Sequence, residues 1–186
     1  MTFHPLTVGA MIKSIKPTCA EEHCIAPKYR KSKYCQAHKA IARERFSEML
    51  QTKAKEKQTR DLRFKIIWED AHEKGLAAGN TVIPVPMVVI ERENMFDDTS
   101  PITRQYTPIE GGPCGFAWVT VHPGNSSFAL WCKREHRASR AYAGGMTVKW
   151  VSEFGQSVTR KSAYAYAFAS ALQEAGITAY AGDRLD

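Results

Sequence analysis

No run of 18 consecutive apolar residues occurs in the 186-residue chain, which argues against a membrane-spanning helix. The first ten residues hold no lysine or arginine and no long apolar stretch. They do not read as a secretory signal, and a cytoplasmic location is expected. Cysteine is scarce and odd in number, with five residues. Three of them crowd into positions 19–35, while Cys114 and Cys132 stand apart. That distribution does not suit a disulfide framework and suits metal binding better. Internal repeats and low-complexity tracts are absent as well. The composition, 44% hydrophobic and 24% charged, is that of an ordinary globular chain of one or two domains.

Positive charge is present in excess but unevenly placed. The net charge is +7. Residues 1–66 carry 15 Lys+Arg against 6 Asp+Glu, a balance of +9, and residues 67–186 carry 11 against 13, a balance of −2. A basic half joined to a near-neutral half points to a polyanion as partner of the first half. A merely solvated basic face is the plainer alternative.

The cysteine cluster has the spacing C-x4-C-x10-C-x2-H, formed by Cys19, Cys24, Cys35 and His38. Zinc favours four tetrahedral nitrogen and sulfur ligands in closed structural sites, and three cysteines with one histidine form a standard set. Arg30, Lys31 and Lys33 beside the thiols would ease their ionisation. His23 lies inside the same window and competes for a ligand position. Residues 19–38 carry few bulky apolar side chains, so a metal would replace a hydrophobic core there, and stripping it would unfold the segment.

Residues 1–18 show no clear period and read as a tail or short strand. From Ala37 to about Ala78 the chain lacks proline and is rich in Ala, Arg, Glu, Lys and Gln, the composition of a helix stopped by Gly79-Asn80. Its middle, Gln51 to Arg60, is almost wholly polar. It is therefore either two helices or one with a solvated centre, of the kind that bridges domains. Thr81–Glu91 is β-branched but holds Pro84 and Pro86, which allow an edge strand only. Residues 94–113 read as a long polar loop, functional or mobile, with Asp97-Asp98 as a turn. Gly115–His122 reads as a strand, and Phe128–His136 as a short helix capped by Ser126 or Ser127. Tyr142–Phe154 reads as a hairpin turning at Gly144-Gly145. A helix capped by Ser157 or Thr159 runs to Ala175 and is closed by Gly176, with Tyr164, Phe168 and Leu172 on one face. Ile177–Ala181 is a last strand. Trp118, Trp131 and Trp150 are expected in the core.

The expected fold class is α+β. It comprises a small zinc-binding finger over residues 1–40, a basic helical connector over 41–78, and an α+β domain over 79–186 with a small antiparallel sheet and packed helices. Lys28, Arg30, Lys31 and Lys33 in the finger, Lys39 and Arg43 on the helix, and Arg160 and Lys161 at a later helix start are the candidate phosphate contacts. Glu44, Glu48 and Glu56 offset part of the helix charge through intrahelical pairs.

The string CAEEHCIAPKYRKSKYCQAHKA, residues 19–40, resembles the N-terminal zinc element of some bacteriophage HNH endonucleases, where a C-x4-C pair precedes a YC-x2-HK pair and a basic helix. The resemblance implies DNA-related work in a phage setting. The nuclease core does not follow: His72, His122 and His136 lack the grouping of a catalytic His with Asn and His ligands. Residues 113–186, with CGFAWV and QSVTRKSAYA, resemble small uncharacterised tailed-phage proteins. The stretch from Gln156 through YAYAFASAL resembles the end of a double-stranded-RNA-binding domain, which implies phosphate contacts by Arg160 and Lys161.

No catalytic residue is assigned. Cys114 and His122 face one side of a strand and could pair as nucleophile and base, and Cys114, His122, Cys132 and His136 could form a second metal site, but Cys114 reads more simply as a small residue at a strand start. The expected function is non-catalytic binding of nucleic acid, DNA rather than RNA, by a phage regulatory or DNA-associated factor holding Zn2+, with no membrane role. The alternatives are a module that grips a host protein, and a nuclease or hydrolase.

Overall fold

The computed structural model describes residues 18–186; the tail or strand expected over residues 1–18 therefore falls almost wholly outside them. The chain is α+β and divides into two compact units, Met1–Gln58 and Thr59–Asp186. Helix α1, Gln36–Thr81, spans the division as one continuous helix of 46 residues. Its polar middle does not break it, because Ala, Lys, Glu, Gln and Arg are strong helix formers that need no packing partner for their local geometry. It ends before Pro84, whose ring disfavours helical geometry in the residue ahead of it. Gly79, expected as the stop signal, instead lies inside the helix and is buried. A Cβ there would sit 2.5 Å or less from the Phe154 ring, so the glycine serves close packing.

The second unit contains two sheets. Strands β1 (Ile90–Arg92) and β2 (Ile102–Gln105) form an antiparallel pair with a bulge between Glu91 and Arg92. The span 94–113 is thus not the structureless loop its polarity suggested. Its tip is tied by Asn94 N–H to Ser100 Oγ (2.9 Å), by Arg92 to the Ser100 carbonyl (2.6 Å), and by Thr99 N–H to Asp97 Oδ1 (2.9 Å). Those Thr99 hydrogen bonds hold the Asp97 carboxyl below its ordinary range. Asp97 is a turn residue, as its neighbourhood predicted. The β-branched run 81–89 stays out of regular strand apart from a bridge between Met87 and Ile109, consistent with the missing N–H groups of Pro84 and Pro86.

The larger sheet has the order β4-β5-β3-β6, all antiparallel, with β3 Gly115–Val121, β4 Ser139–Arg140, β5 Met146–Trp150 and β6 Ala179–Leu185. Helix α2 is Ser127–Glu135, capped by Ser126, and α3 is Val158–Glu174, capped by Ser157. Both caps are those expected of Ser before a helical run. Gly144 and Gly145 take positive φ (93° and 80°) between β4 and β5, and Gly176 (79°) follows α3, conformations that a side chain resists. Strand β6 runs to Leu185, beyond the expected end at Ala181, because β3 offers seven pairing partners from Gly115 to Val121.

Ala117, Val119 and Val121 of β3 and Met146 and Val148 of β5 form the core with Tyr164, Phe168 and Leu172 of α3, Phe128, Trp131 and Cys132 of α2, and Ala71 of α1. The i, i+4, i+8 stripe of α3 is fully buried. Trp68 meets Phe168 edge-on at 5.0 Å and stacks on His136 at 3.9 Å. His72 Nδ1 and the Tyr164 hydroxyl lie 2.5 Å apart. Burial pushes the Cys132 thiol up to about 12. Of the three tryptophans expected inside, only Trp131 is buried; Trp118 is half-buried and Trp150 is 51% exposed.

Gly75 of α1 is buried, and a Cβ at that position would lie 2.8 Å from two carbons of the Tyr164 ring. In an exposed helix Gly→Ala stabilises by about 1 kcal/mol. Here the clash reverses the sign, and Gly75→Ala is expected to destabilise the second unit by about 1–3 kcal/mol. Urea unfolding followed by tryptophan fluorescence measures this, since all four tryptophans lie beyond residue 58. Equal or greater stability would show that the Tyr164 ring yields without cost.

Candidate metal centre

Cys19, Cys24, Cys35 and His38 converge, although the first and last stand 19 positions apart in sequence. One potential ligand atom from each lies within 4.8 Å of all the others. Cys19 Sγ is 3.6 Å and Cys35 Sγ 3.5 Å from His38 Nδ1, and Cys24 Sγ is 4.0 Å from Cys35 Sγ. An ion bound tetrahedrally by sulfur at about 2.3 Å and nitrogen at about 2.1 Å holds its ligand atoms about 3.5–3.8 Å apart. The four residues can therefore hold one metal ion with little movement.

Local backbone structure produces this convergence. Cys19 N–H donates to the Ala26 carbonyl (3.0 Å), Cys24 N–H to Glu21 (3.2 Å), and Thr18 bridges Pro27, so the first cysteine pair sits on a tight turn. Ala20 N–H reaches the Lys33 carbonyl at 2.9 Å and Tyr29 N–H the Tyr34 carbonyl at 3.0 Å, which folds the intervening loop back. Cys35 immediately precedes α1 and His38 lies in its first turn. The Cys35 N–H donates to Cys19 Sγ at 3.2 Å, and the positive end of the helix favours anionic sulfur there.

The thiols are not equivalent. Burial works to raise the Cys19 thiol, but hydrogen bonds from the Glu21 and Cys35 backbones, with His38 and Cys24, outweigh it and bring it down to about 6. At Cys24 the Ala26 backbone works the other way, yet burial and the neighbouring Cys19 and Cys35 leave that thiol raised. The cluster thus favours one thiolate first, and a cation is what allows the rest to ionise. His23 does not compete. Its φ is 61°, its side chain is 92% exposed, and Nε2 faces Glu22 at 3.7 Å.

The sequence-predicted cations fall into three groups. Lys28, Arg30, Lys31, Lys33 and Arg43 are exposed in the first unit. Lys39 and Arg30 lie over the Tyr29 ring, at 4.9 and 5.5 Å from its centroid, so Tyr29 arranges two of them. That role was not assigned from sequence, although an aromatic amid basic residues is the usual sign of a cation–π contact. Glu21 pairs with Arg45 at 2.8 Å and ties the metal loop to α1. Arg160 borders a cleft of about 360 Å³ with Gly111, Gln156 and Ser157, and its Nε is buried without a partner. Lys161 departs from expectation. It is buried, and its Nζ donates to the Gly115 carbonyl at 3.0 Å. Its ammonium satisfies a sheet carbonyl and is not presented to phosphate, because the α3 stripe turns this position inward. Cys114 forms a backbone bridge with Ser157 at the start of β3, and among the described residues no second group of metal-ligating side chains comes together. Among them, too, no helix is long and apolar enough to cross a membrane.

Compared with known proteins, the chain matches no family model, no curated protein and no solved structure.

Titration with Co2+ is expected to give the visible absorption of a tetrahedral thiolate complex at one ion per chain. Cys35→Ser should abolish it, and His23→Ala should leave it unchanged. Protons compete with the ion for the thiolates, so metal retention is expected to fall as the pH is lowered into the acid range and to recover when it is raised again. Stoichiometric binding by Cys35→Ser would overturn the ligand assignment.

Proposed function

We propose that this chain is a zinc-containing nucleic-acid-binding protein, a phage regulatory or DNA-associated factor that acts in the cytoplasm of a host cell without catalysis. The observation that carries the reading is the joining of the four converging ligand atoms to an exposed basic loop. Lys28, Arg30, Lys31 and Lys33 all lie between the second and third metal-ligating residues. Closing the site on an ion would fix the path of that loop and present its charges together. Zinc suits the donor set of three sulfurs and one nitrogen, and it is redox-inert, as a purely structural ion should be. The phage setting rests on the resemblance of residues 19–40 and 113–186 described above.

Phosphate contacts by the loop cations, with Lys39 and Arg43, would supply affinity with little sequence preference. The partner is DNA in this reading, with RNA as the comparison. The zinc-loaded protein is expected to shift a DNA duplex in a gel at low salt, with affinity falling steeply as salt rises. Replacing Lys28, Arg30, Lys31 and Lys33 by Gln should weaken binding and flatten the plot of log affinity against log salt by about three to four units. Absence of any shift with duplex or single strand at low salt would end this reading.

A second reading, a module that binds a host protein, draws support from the exposed apolar residues of the β1–β2 segment, where Met95 is 81% and Phe96 97% exposed. Retention of a host protein by the immobilised chain after nuclease treatment, lost on Phe96→Asp, would favour it over nucleic acid.

A further inference from the structure

The face of the larger sheet that carries Trp118 and Trp150 is not used by the basic loop. Side chains alternate along β3. Ala117, Val119 and Val121 go to the core, which leaves Phe116, Trp118 and Thr120 on the opposite face. The register sets Trp118 against Trp150 of β5 and Gly182 of β6. The two indoles stack with ring centroids 5.7 Å apart and planes 10° from parallel. A Cβ at Gly182 would lie 2.8 Å from the Trp118 ring, so this glycine is what lets the indole lie against the neighbouring strand. The result is an aromatic platform at the edge of a cavity of about 500 Å³, completed by Tyr142, His122 and Arg184.

Three properties restrict what fits. The large side chains of the lining are rings, Trp118, Trp150, Tyr142 and His122, set among small Ala, Ser, Thr and Gly residues, and Trp150 and Tyr142 are both exposed, the kind of aromatic patch that marks an interaction site. No carboxylate lines the cavity, and its one permanently charged side chain is the cation Arg184, whose guanidinium lies 5.3 Å from the centroid of the Phe116 ring. The cavity is of the size that takes a single planar group with its substituents. Stacked aromatics beside a cation on a sheet face are how unpaired bases are held, with rings against base faces and the cation against phosphate. A duplex cannot use this arrangement, since its bases are already stacked inside.

We infer that the Trp118–Trp150 face binds single-stranded DNA, stacking an unpaired base on the indole platform while Arg184 contacts the adjoining phosphate. The inference rests on the reading of nucleic acid as partner, but on a different surface and a different form of the strand.

The test is quenching of tryptophan fluorescence in the full-length, metal-loaded protein by a thymidine 20-mer, with a duplex of equal length and a uridine 20-mer as comparisons. Trp150→Ala should weaken thymidine binding by about ten-fold or more, and Trp150→Phe should retain most of it. Arg184→Gln should weaken it and lower the salt slope by about one, which tests the site even where Trp150→Ala unfolds. Unchanged affinity in a Trp150→Ala protein with native thermal unfolding would overturn the inference, as would tighter binding of uridine. The variant with Gln at positions 28, 30, 31 and 33 separates the two readings. If it loses duplex binding but keeps Trp150-dependent quenching, the platform stands alone. Duplex binding without Trp150-dependent binding of the thymidine strand would leave the basic loop in place and remove the platform.

Discussion

Among residues 18–58 the buried side chains are those of Cys19 and Cys35. This part of the chain has no hydrophobic core in the ordinary sense; Ile41, Phe46, Met49 and Leu50 of α1 all remain exposed. What organises it is the meeting of three sulfurs and one imidazole nitrogen, supported by a few backbone hydrogen bonds between residues 19 and 35. So small a segment gains too little from burial to offset its conformational entropy. Coordination of an ion by all four groups is the interaction that can close the gap, because a metal that binds only the folded arrangement stabilises that arrangement directly. Tyr29 and the loop cations lie between the second and third of these four residues, and α1 begins directly after the third.

The second unit is held differently. Its core is an aromatic and aliphatic layer between the sheet and helices α2 and α3, with Trp68 and Ala71 of α1 contributing to the same cluster. Close approach is obtained by removing side chains where rings must pass, at Gly75 against Tyr164, Gly79 against Phe154 and Gly182 against Trp118. The same device thus serves the buried face and the exposed one. The sheet sorts its side chains by strand alternation, sending Ala117, Val119 and Val121 of β3 inward and leaving Trp118, with Trp150 of β5, on the other face.

Charge is sorted as sharply. Arg160 and Lys161 are neighbours in sequence and identical in formal charge, yet one borders a cleft and the other donates to a buried sheet carbonyl. A helix turns about 100° per residue, so neighbouring side chains can face solvent and core. A basic pair at a helix start is accordingly weaker evidence of a phosphate site than a basic loop, where no periodic burial intervenes.

The α+β class, the long helix, both serine caps, the buried stripe of α3 and the four residues that converge as a candidate metal site were all legible in the sequence. Each depends on local chemistry: propensity, a hydroxyl before a helical run, a 3.6-residue period, or donor atoms at short spacing. The pairing of β1 with β2 inside a polar stretch, the length of β6, the inward turn of Lys161 and the exposure of Trp150 were not. Each was decided by a partner distant in sequence: Ile102–Gln105 for β1, β3 for β6, the Gly115 carbonyl for Lys161, and Trp118 for Trp150. A residue type states what a side chain can do. Which neighbour it meets is set only when the strands are in register and the helices are packed.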